Sequence, residues 1–546
     1  MKNRKEKQQQ QMSLMKEWDE PSTTTTTTTT DQSNQPYKYI EAKCNLNKET
    51  EKSIGHPVSK FAKIVIVLLA ISLPTISFVL AARVKGRLTL PFYIFGLPSW
   101  LILVPILIYF YRKKGFSPFI RSKGITALMA VSFSFYSLYN ILFSMYILRP
   151  FFVVDQENNA VSGYRYRGIM WLPLLILIYL HSTVYIQHLV LSKCKMRPKL
   201  YLYLVSYPSS VFFTTMILSI PFYLVVPFIP SLVGMFIMLI PLVLSIIGLY
   251  QTLITRPPNK WQVKDIYLKT SSNEEMENEQ LITPKKSLKR VKIQPLSDHN
   301  EQIVDFKQPL SIIQIADPHL GPMMSCERLT EICESTVKLN PDLVLLTGDF
   351  FTSESFNPEN TLEIALAPLK KLPHGKVFAC VGNHDLEEGC MEILERALKT
   401  IQCPLLIDQS VLVETRIGKI QITGFDYRNK ARQQHIHEVC SAYPPIQGIP
   451  RIALLHDPGS FKFIPTDYGC ITFSGHTHGG QIGIRSDLLS LTMVGITGIP
   501  DYSLWRNGNN YLYVHTGQGC RSMLGTMVLR VGVPAEDSLL QVYFES

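Results

Sequence analysis

Long apolar runs crowd the first half of the chain, and short ones bounded by turn residues recur through the second. Between about residues 61 and 254 the apolar stretches are long enough to cross a bilayer, which takes roughly 20 such residues in a helix. They fall at 64–82, 90–111, 124–148, 169–192, 200–226 and 231–254, so a multi-span α-helical membrane domain is expected. The last two form one apolar block broken only at Pro227-Phe228-Ile229-Pro230, and a single bent span there would make five crossings instead of six. Beyond residue 288 the pattern changes to short β-type runs alternating with helical periodicity. Ser311–Ala316, Asp342–Thr347, Lys376–Val381, Arg451–Leu455, Cys470–Ser474 and Asn510–Val514 read as strands. Cys326–Leu339, Thr361–Lys371 and Met391–Ile401 read as helices. Such alternation predicts layered α/β structure.

Two polar segments frame the membrane half. Residues 1–60, with glutamines at Gln8 to Gln11 and threonines from Thr23 to Thr30, cannot bury enough apolar surface to offset the entropy of ordering, and are expected to lack structure. Residues 255–287 carry an acidic patch (Glu274, Glu275, Glu277, Glu279) followed by Lys285 and Lys286, and read as a linker. Alternating Val291-Lys292-Ile293-Gln294 then looks like the first edge strand of a catalytic domain spanning 288–546.

Charge adds direction. The chain's +11 is unevenly spread: residues 61–255 hold sixteen Lys/Arg against two Asp/Glu, whereas everything after them holds 28 against 33. The basic excess therefore lies in loops between apolar spans, which favours lipid headgroups over nucleic acid as its partner. With six spans and a cytoplasmic N-terminus, Arg112, Lys113, Lys114, Arg121, Lys123, Lys193, Lys195, Arg197 and Lys199 fall on inside loops. The positive-inside rule then gives a multi-pass membrane protein with a cytosolic catalytic domain. Eight of the ten cysteines lie in that domain without C-x-x-C spacing, and buried free thiols are the simpler reading of them. Within the fourth span His181 and His188 share a helix face, with Gln187 beside the second; polar groups at membrane depth are often functional, though bonding to a neighbouring helix is the commoner use.

The chemistry-bearing residues sit where the short strands end. Asp317-Pro318-His319, Gly348-Asp349, Gly382-Asn383-His384-Asp385, His456, and Gly475-His476-Thr477-His478 follow apolar runs in that order. Carboxylate, amide and imidazole donors in this mixture suit Mn, Fe, Zn or Co better than Ca, which wants more oxygens. A shared carboxylate at Asp349 would help hold two cations roughly 3.5–4 Å apart, the separation used in two-metal hydrolysis. The H-x-H pattern lets two imidazoles reach one cluster from one loop, and the glycines leave room for metals and a phosphate. His435 and His437 form a second H-x-H behind Arg428, Lys430 and Arg432, and read as a solvated face.

Together these motifs resemble those of the calcineurin-like metallophosphoesterases, over about residues 288–546. The resemblance implies an α/β fold of two sheets in a sandwich flanked by helices, and a metal-dependent phosphoric ester hydrolase. It implies that Asp317, His319 and His478 hold one divalent metal ion, that Asn383, His456 and His476 hold another, and that Asp349 bridges them. A metal-bound hydroxide would attack phosphorus in line while His384, oriented by Asp385, stabilises the transition state or protonates the leaving oxygen. Arg521 and Arg530 are candidates to bind the phosphate, with structural ion pairs as the alternative. Thr352 stands where purple acid phosphatases place a tyrosine ligand, and Thr352-Ser353 replaces the Asp-Arg of the protein Ser/Thr phosphatases. Neither a phenolate-bound iron nor a phosphoprotein substrate is therefore expected. A phosphomonoester or phosphodiester on a membrane lipid headgroup is the first substrate reading, since anchoring beside the bilayer raises effective concentration there. The alternative is a transporter or sensor bundle regulated by its phosphoesterase domain.

Overall fold

The computed structural model describes residues 36–42, 147, 152–153, 165–166, 171–190, 196–254, 261–268, 288–291 and 293. From 308 to 545 it is continuous apart from 353–354, 356–359, 388, 486–489 and 524–525. Apart from Ile147, the spans expected at 64–82, 90–111 and 124–148 lie outside the described residues, as does most of the 1–60 segment.

Three apolar helices are described: α1 (Trp171–Val190), α2 (Tyr207–Ser219) and α3 (Ser231–Leu253). A short α turn at Lys199–Tyr201 and a π turn at Leu202–Ser206 lead into α2. Pro208 explains the wide turn, because it has no N–H for the carbonyl four residues back. That carbonyl, of Leu204, accepts a 2.6 Å hydrogen bond from the Tyr179 hydroxyl of α1. Between α2 and α3 the chain breaks into 3₁₀ turns at Ile220–Leu224 and Val226–Phe228, and Pro230 caps the start of α3. The apolar block at 200–254 is thus two helices. Residues 199–222 and 232–253 are long and apolar enough to cross a membrane, with mean hydropathies of 1.3 and 2.7.

The catalytic half is built on two sheets. One has the strand order Gln262–Leu268, Ser538–Phe544, Leu310–Ile315, Leu343–Leu346, Val377–Ala379; its last three strands run parallel. The other runs Tyr37–Ile40, Gln409–Thr415, Gly418–Gly424, Arg451–Leu454, Ile471–Ser474, Asn510–Val514, Ser503–Asn507, Lys289–Val291, parallel at its centre. Alternation divides the work of each strand. Ile312, Leu343, Leu345 and Phe378 meet Ile422, Ile452, Leu454 and Phe473 between the sheets. Ile313, Ile315, Val344 and Leu346 face the helices Cys326–Leu339, Thr361–Leu366 and Cys390–Thr400. Cys326–Leu339 starts where Ser325 caps the Arg328 N–H, and it ends at Asn340 in the left-handed region.

Two boundaries differ from expectation. Gln262–Leu268, placed in the linker, is a full strand paired in parallel with Ser538–Phe544; its pattern was masked by charges on an edge strand, where one side needs no apolar cover. Tyr37–Ile40, inside the segment expected to lack structure, pairs antiparallel with Gln409–Thr415, and Tyr37 packs its ring 5.6 Å from that of Phe378.

The apolar helices are bonded to the catalytic half. The backbone N–H of Leu529 donates to Thr214 Oγ1 (3.0 Å), that of Arg530 to Thr252 Oγ1 (3.2 Å), and that of Gly532 to Gln251 Oε1 (3.2 Å). Val211, Leu242, Leu249 and Leu253 cover Met323, Cys520 and Leu529. At Gly248 of α3 a Cβ would come within 2.8 Å of Val531 and 3.0 Å of the Arg530 carbonyl, so the close approach requires glycine. Replacing Thr252 by the isosteric valine strands the buried Arg530 N–H, at about 1–3 kcal/mol. Thr252→Val is expected to lower the melting temperature of the detergent-solubilised chain, and Thr252→Ser to restore it.

Candidate metal centre

Each candidate ligand leaves a buried strand end, and the loops that carry them are laced together. Asp317 N–H donates to Gly348 O (3.1 Å), His319 N–H to Asp349 O (3.2 Å) and Gly475 N–H to His456 O (3.1 Å). The glycines make this possible: a Cβ on Gly382 would lie 2.3 Å from Asp349 Oδ1, and one on Gly475 2.1 Å from Asp317 Oδ2.

Two groups of side chains converge. Asp317, His319 and His478 form one, and Asp349, His456 and His476 the other, with one ligand atom from each residue within 4.8 Å of the rest of its group. His319 Nε2 and His478 Nε2 stand 3.1 Å apart, and Asp317 Oδ1 is 3.6 Å from His478 Nε2. Asp349 Oδ2 lies 3.6 Å from His319 Nε2 in the first group and 3.2 Å from His456 Nε2 in the second, where a bridging carboxylate belongs. Three buried donor atoms, Asp317 Oδ2, Asn383 Oδ1 and His456 Nε2, make no hydrogen bond. Burying polar atoms without partners is costly, and bound cations would remove that cost. The residues present fit a pair of divalent ions.

Hydrogen bonds behind the ligands aim them. His319 Nδ1 bonds Phe351 O (2.9 Å) and His456 Nδ1 bonds Thr347 O (2.7 Å), which turns each Nε2 inward. Burial pushes His319 and His476 down to about 3, so both rings are neutral and available as ligands. Burial opposes charge on His456 too, but Asp349 outweighs it and carries the group up to about 10. Asp349 is itself held well below the usual range, since His456, His384 and His319 overcome the effect of burial.

Two of the expected roles are filled differently. Asp385 does not reach His384. Its carboxylate accepts the N–H groups of Asp349 (2.7 Å), Gly382 (2.9 Å) and Phe350 (2.8 Å), tying two ligand loops together. Glu387 is the partner of His384 instead, 2.7 Å from its Nδ1; a residue three further along the turn reaches back, whereas an adjacent one points away. Arg530 does not face the cleft. Its side chain is only 1% exposed, and it donates to the carbonyls of Gly519 (2.6 Å), Thr516 (2.6 Å), Gly517 (3.1 Å) and His478 (3.1 Å). That spends the guanidinium on the backbone beneath the H-x-H loop.

Arg521, by contrast, is exposed, and its charge opposes protonation of His384, His476 and His478. Its backbone N–H is held by Gln481 Oε1. His515 is buried scaffold, accepting the Gly517 N–H at 2.9 Å, and Thr352 bonds Leu320 O. His435, expected on a solvated face, is buried and paired with Asp408 at 2.8 Å; His437 is exposed. Gln187 Oε1 accepts the hydroxyls of Ser206 and Tyr201, the helix-bonding use of such a group, while the His188 side chain lies outside the described atoms. The eight catalytic-half cysteines are free thiols, seven of them buried. Tyr427, its ring 5.9 Å from His476 and 6.1 Å from His456, was not anticipated, because no motif surrounds it.

A two-sheet α/β sandwich whose strand ends gather Asp and His into two adjoining groups is the framework of a dinuclear metallohydrolase. The chain belongs to the calcineurin-like metallophosphoesterases: residues 310–480 match the family described as Calcineurin-like phosphoesterase. The uncharacterized metallophosphoesterase YkoQ of Bacillus subtilis is 30% identical over 204 residues, 36% of this chain and 71% of that protein. Phosphodiesterase YaeI of Escherichia coli is 24% identical over 245 residues, 44% of this chain and 84% of its own. UDP-2,3-diacylglucosamine pyrophosphatase LpxG of Chlamydia muridarum is 26% identical over 290 residues, 43% and 84% respectively. The protein is thus a metal-dependent phosphoester hydrolase by family.

Arg530→Met removes the donors from four buried carbonyls, on the order of 3 kcal/mol. It is expected to lower both the melting temperature and the metal content measured by mass spectrometry. Retained metal with a raised KM would instead place Arg530 on the substrate.

Proposed function

We propose that the chain is a membrane-anchored phosphoesterase with two divalent ions, acting on a phosphomonoester or phosphodiester carried by a lipid headgroup at the cytosolic surface. The observation that carries the reading is the convergence of six candidate ligands in two groups, with orphaned donor atoms on Asp317, His456 and Asn383, beside a bundle of apolar helices bonded to the same domain. Bound there by Asp317, His319, Asp349, Asn383, His456, His476 and His478, Mn, Fe, Zn or Co would polarise the phosphoryl group and acidify a water.

The remaining steps belong to the chain's own groups. Arg521 binds non-bridging phosphate oxygens from the open side, because guanidinium forms two parallel bonds to them. Water adds to phosphorus as the bond to the leaving alkoxide breaks, and the proton it gives up passes to solvent. His384, its Nδ1 held 2.7 Å from Glu387, delivers a proton to that oxygen.

Three further points support the anchored reading. Two helices are apolar and long enough to cross a bilayer. The strands Tyr37–Ile40 and Lys289–Val291 belong to one sheet, so residues before and after the apolar region share a side of any membrane it crosses. This supports an even number of crossings, such as the six expected from the sequence. Finally, the name of the relative LpxG specifies a diacylated substrate, UDP-2,3-diacylglucosamine. The sensor or transporter reading has less behind it, since Gln187 is occupied by Ser206 and Tyr201.

The test uses the full chain, because two strands and the helix contacts precede residue 288. Bis-p-nitrophenyl phosphate and p-nitrophenyl phosphate turnover should depend on added metal and fall at least about 100-fold in Asp349→Ala and His476→Ala. Full metal-dependent activity in both variants would refute the assignment. Arg521→Ala is expected to lower kcat/KM about 10- to 100-fold with two metals still bound.

A further inference from the structure

The segment that follows the H-x-H loop carries an apolar surface that the phosphoesterase chemistry does not use. Its strands Gly483–Arg485 and Ser490–Thr492 form a two-stranded antiparallel ribbon in which Ile484 stands opposite Leu491. Side chains alternate along each strand, so Ile482, Ile484, Leu491 and Met493 share one face. Ile482 is buried in a cluster with Phe213 of α2, and with Met216 and Ile217 packed against it. Its neighbours on that face are open: Ile484 is 56% exposed, Leu491 49% and Met493 46%. The turn beyond adds Ile496 at 71% and Ile499.

The opposite face is polar and fixed to the domain. Thr492 Oγ1 donates to Asp501 Oδ2 (2.6 Å), and the Arg485 guanidinium lies 3.7 Å from the centre of the Tyr502 ring. The ribbon is also pressed against the metal-site loop. A Cβ on Gly480, two residues past His478, would meet Thr492 at 2.8 Å. Thr477 Oγ1, between the two candidate ligands, donates to Asp501 O at 2.7 Å.

We propose that this ribbon is seated in the surface of the lipid bilayer beside the partly buried Met216, Ile217 and Leu218 of α2, so that phosphate-bearing lipids meet the metal centre along it. The inference rests on the membrane-anchored reading above. Continuity decides the occupant, because the exposed face starts where Ile482 packs on a helix apolar enough to cross a membrane. Neighbouring backbone points the same way. The N–H groups of Leu529 and Arg530 are capped by Thr214 and Thr252 from the apolar helices, as backbone must be where water is scarce. A row of aliphatic side chains left in water beside such a helix is unfavourable, and burial among acyl chains removes that cost.

The experiment reconstitutes full-length Ile496→Trp and wild-type protein in phosphatidylcholine/phosphatidylglycerol nanodiscs, with or without brominated acyl chains. The added tryptophan emission, taken as the difference between the two proteins, should be quenched at least about two-fold by brominated lipid. An unquenched difference overturns the inference. So does a concentration-dependent dimer that Leu491→Ser abolishes, which would assign the face to a second copy of the chain. Metal-dependent bis-p-nitrophenyl phosphate turnover, measured on the same samples, separates this outcome from the fate of the enzyme reading. Turnover without quenching leaves the phosphoesterase intact and removes only the ribbon's role; quenching without turnover does the reverse.

Discussion

Convergence of charged and polar ligand atoms inside a buried crevice is the constraint around which the catalytic half is arranged. Asp317, His319, Asp349, His476 and His478 all have left-handed backbone, with φ between 46° and 68°. For residues with a Cβ this conformation costs on the order of 1 kcal/mol or more each, and it persists only where surrounding contacts over-determine it. Those contacts are visible. Asp385 spends its carboxylate on three N–H groups of the ligand loops, and glycines at 382 and 475 let neighbouring backbones approach within carboxylate range.

Arg530 extends this framework to the apolar helices. Its guanidinium holds the His478 carbonyl, and its own N–H is held by Thr252 of α3. A candidate metal ligand and a membrane-type helix are therefore joined through one residue. Gly248 allows that approach and Leu529 seals it with Val211, Leu249 and Leu253. The helices are part of the scaffold of the site as well as a candidate anchor.

Much of the centre was legible because a short apolar run followed by Gly-Asp or Gly-Asn-His-Asp carries its own geometry: the strand is buried by its composition, and the next residues must lie at its end. Periodicity likewise gave Cys326–Leu339 to the residue, since its cap and its left-handed stop are both local. Gln262–Leu268 was missed because Lys264 and Asp265 interrupt its pattern, and only pairing with Ser538–Phe544 makes it a strand. Tyr37–Ile40 was missed for the same kind of reason: four residues in a polar segment become structure only when Gln409–Thr415 supplies the hydrogen bonds.

By itself, then, the sequence determined the candidate ligands, the strand ends that bear them and the apolar character of the helices, all properties of neighbours along the chain. Tertiary structure alone decided which charged groups serve the cleft. Glu387 takes the place beside His384 expected of Asp385, and Arg521 and Arg530 separate into an exposed residue and a buried brace. Glu387 reaches His384 across a local turn, but for Asp385, Arg521 and Arg530 the physical reason is common. Residue type fixes what a side chain can bond, but direction and burial depend on backbone that folding brings from tens to hundreds of residues away.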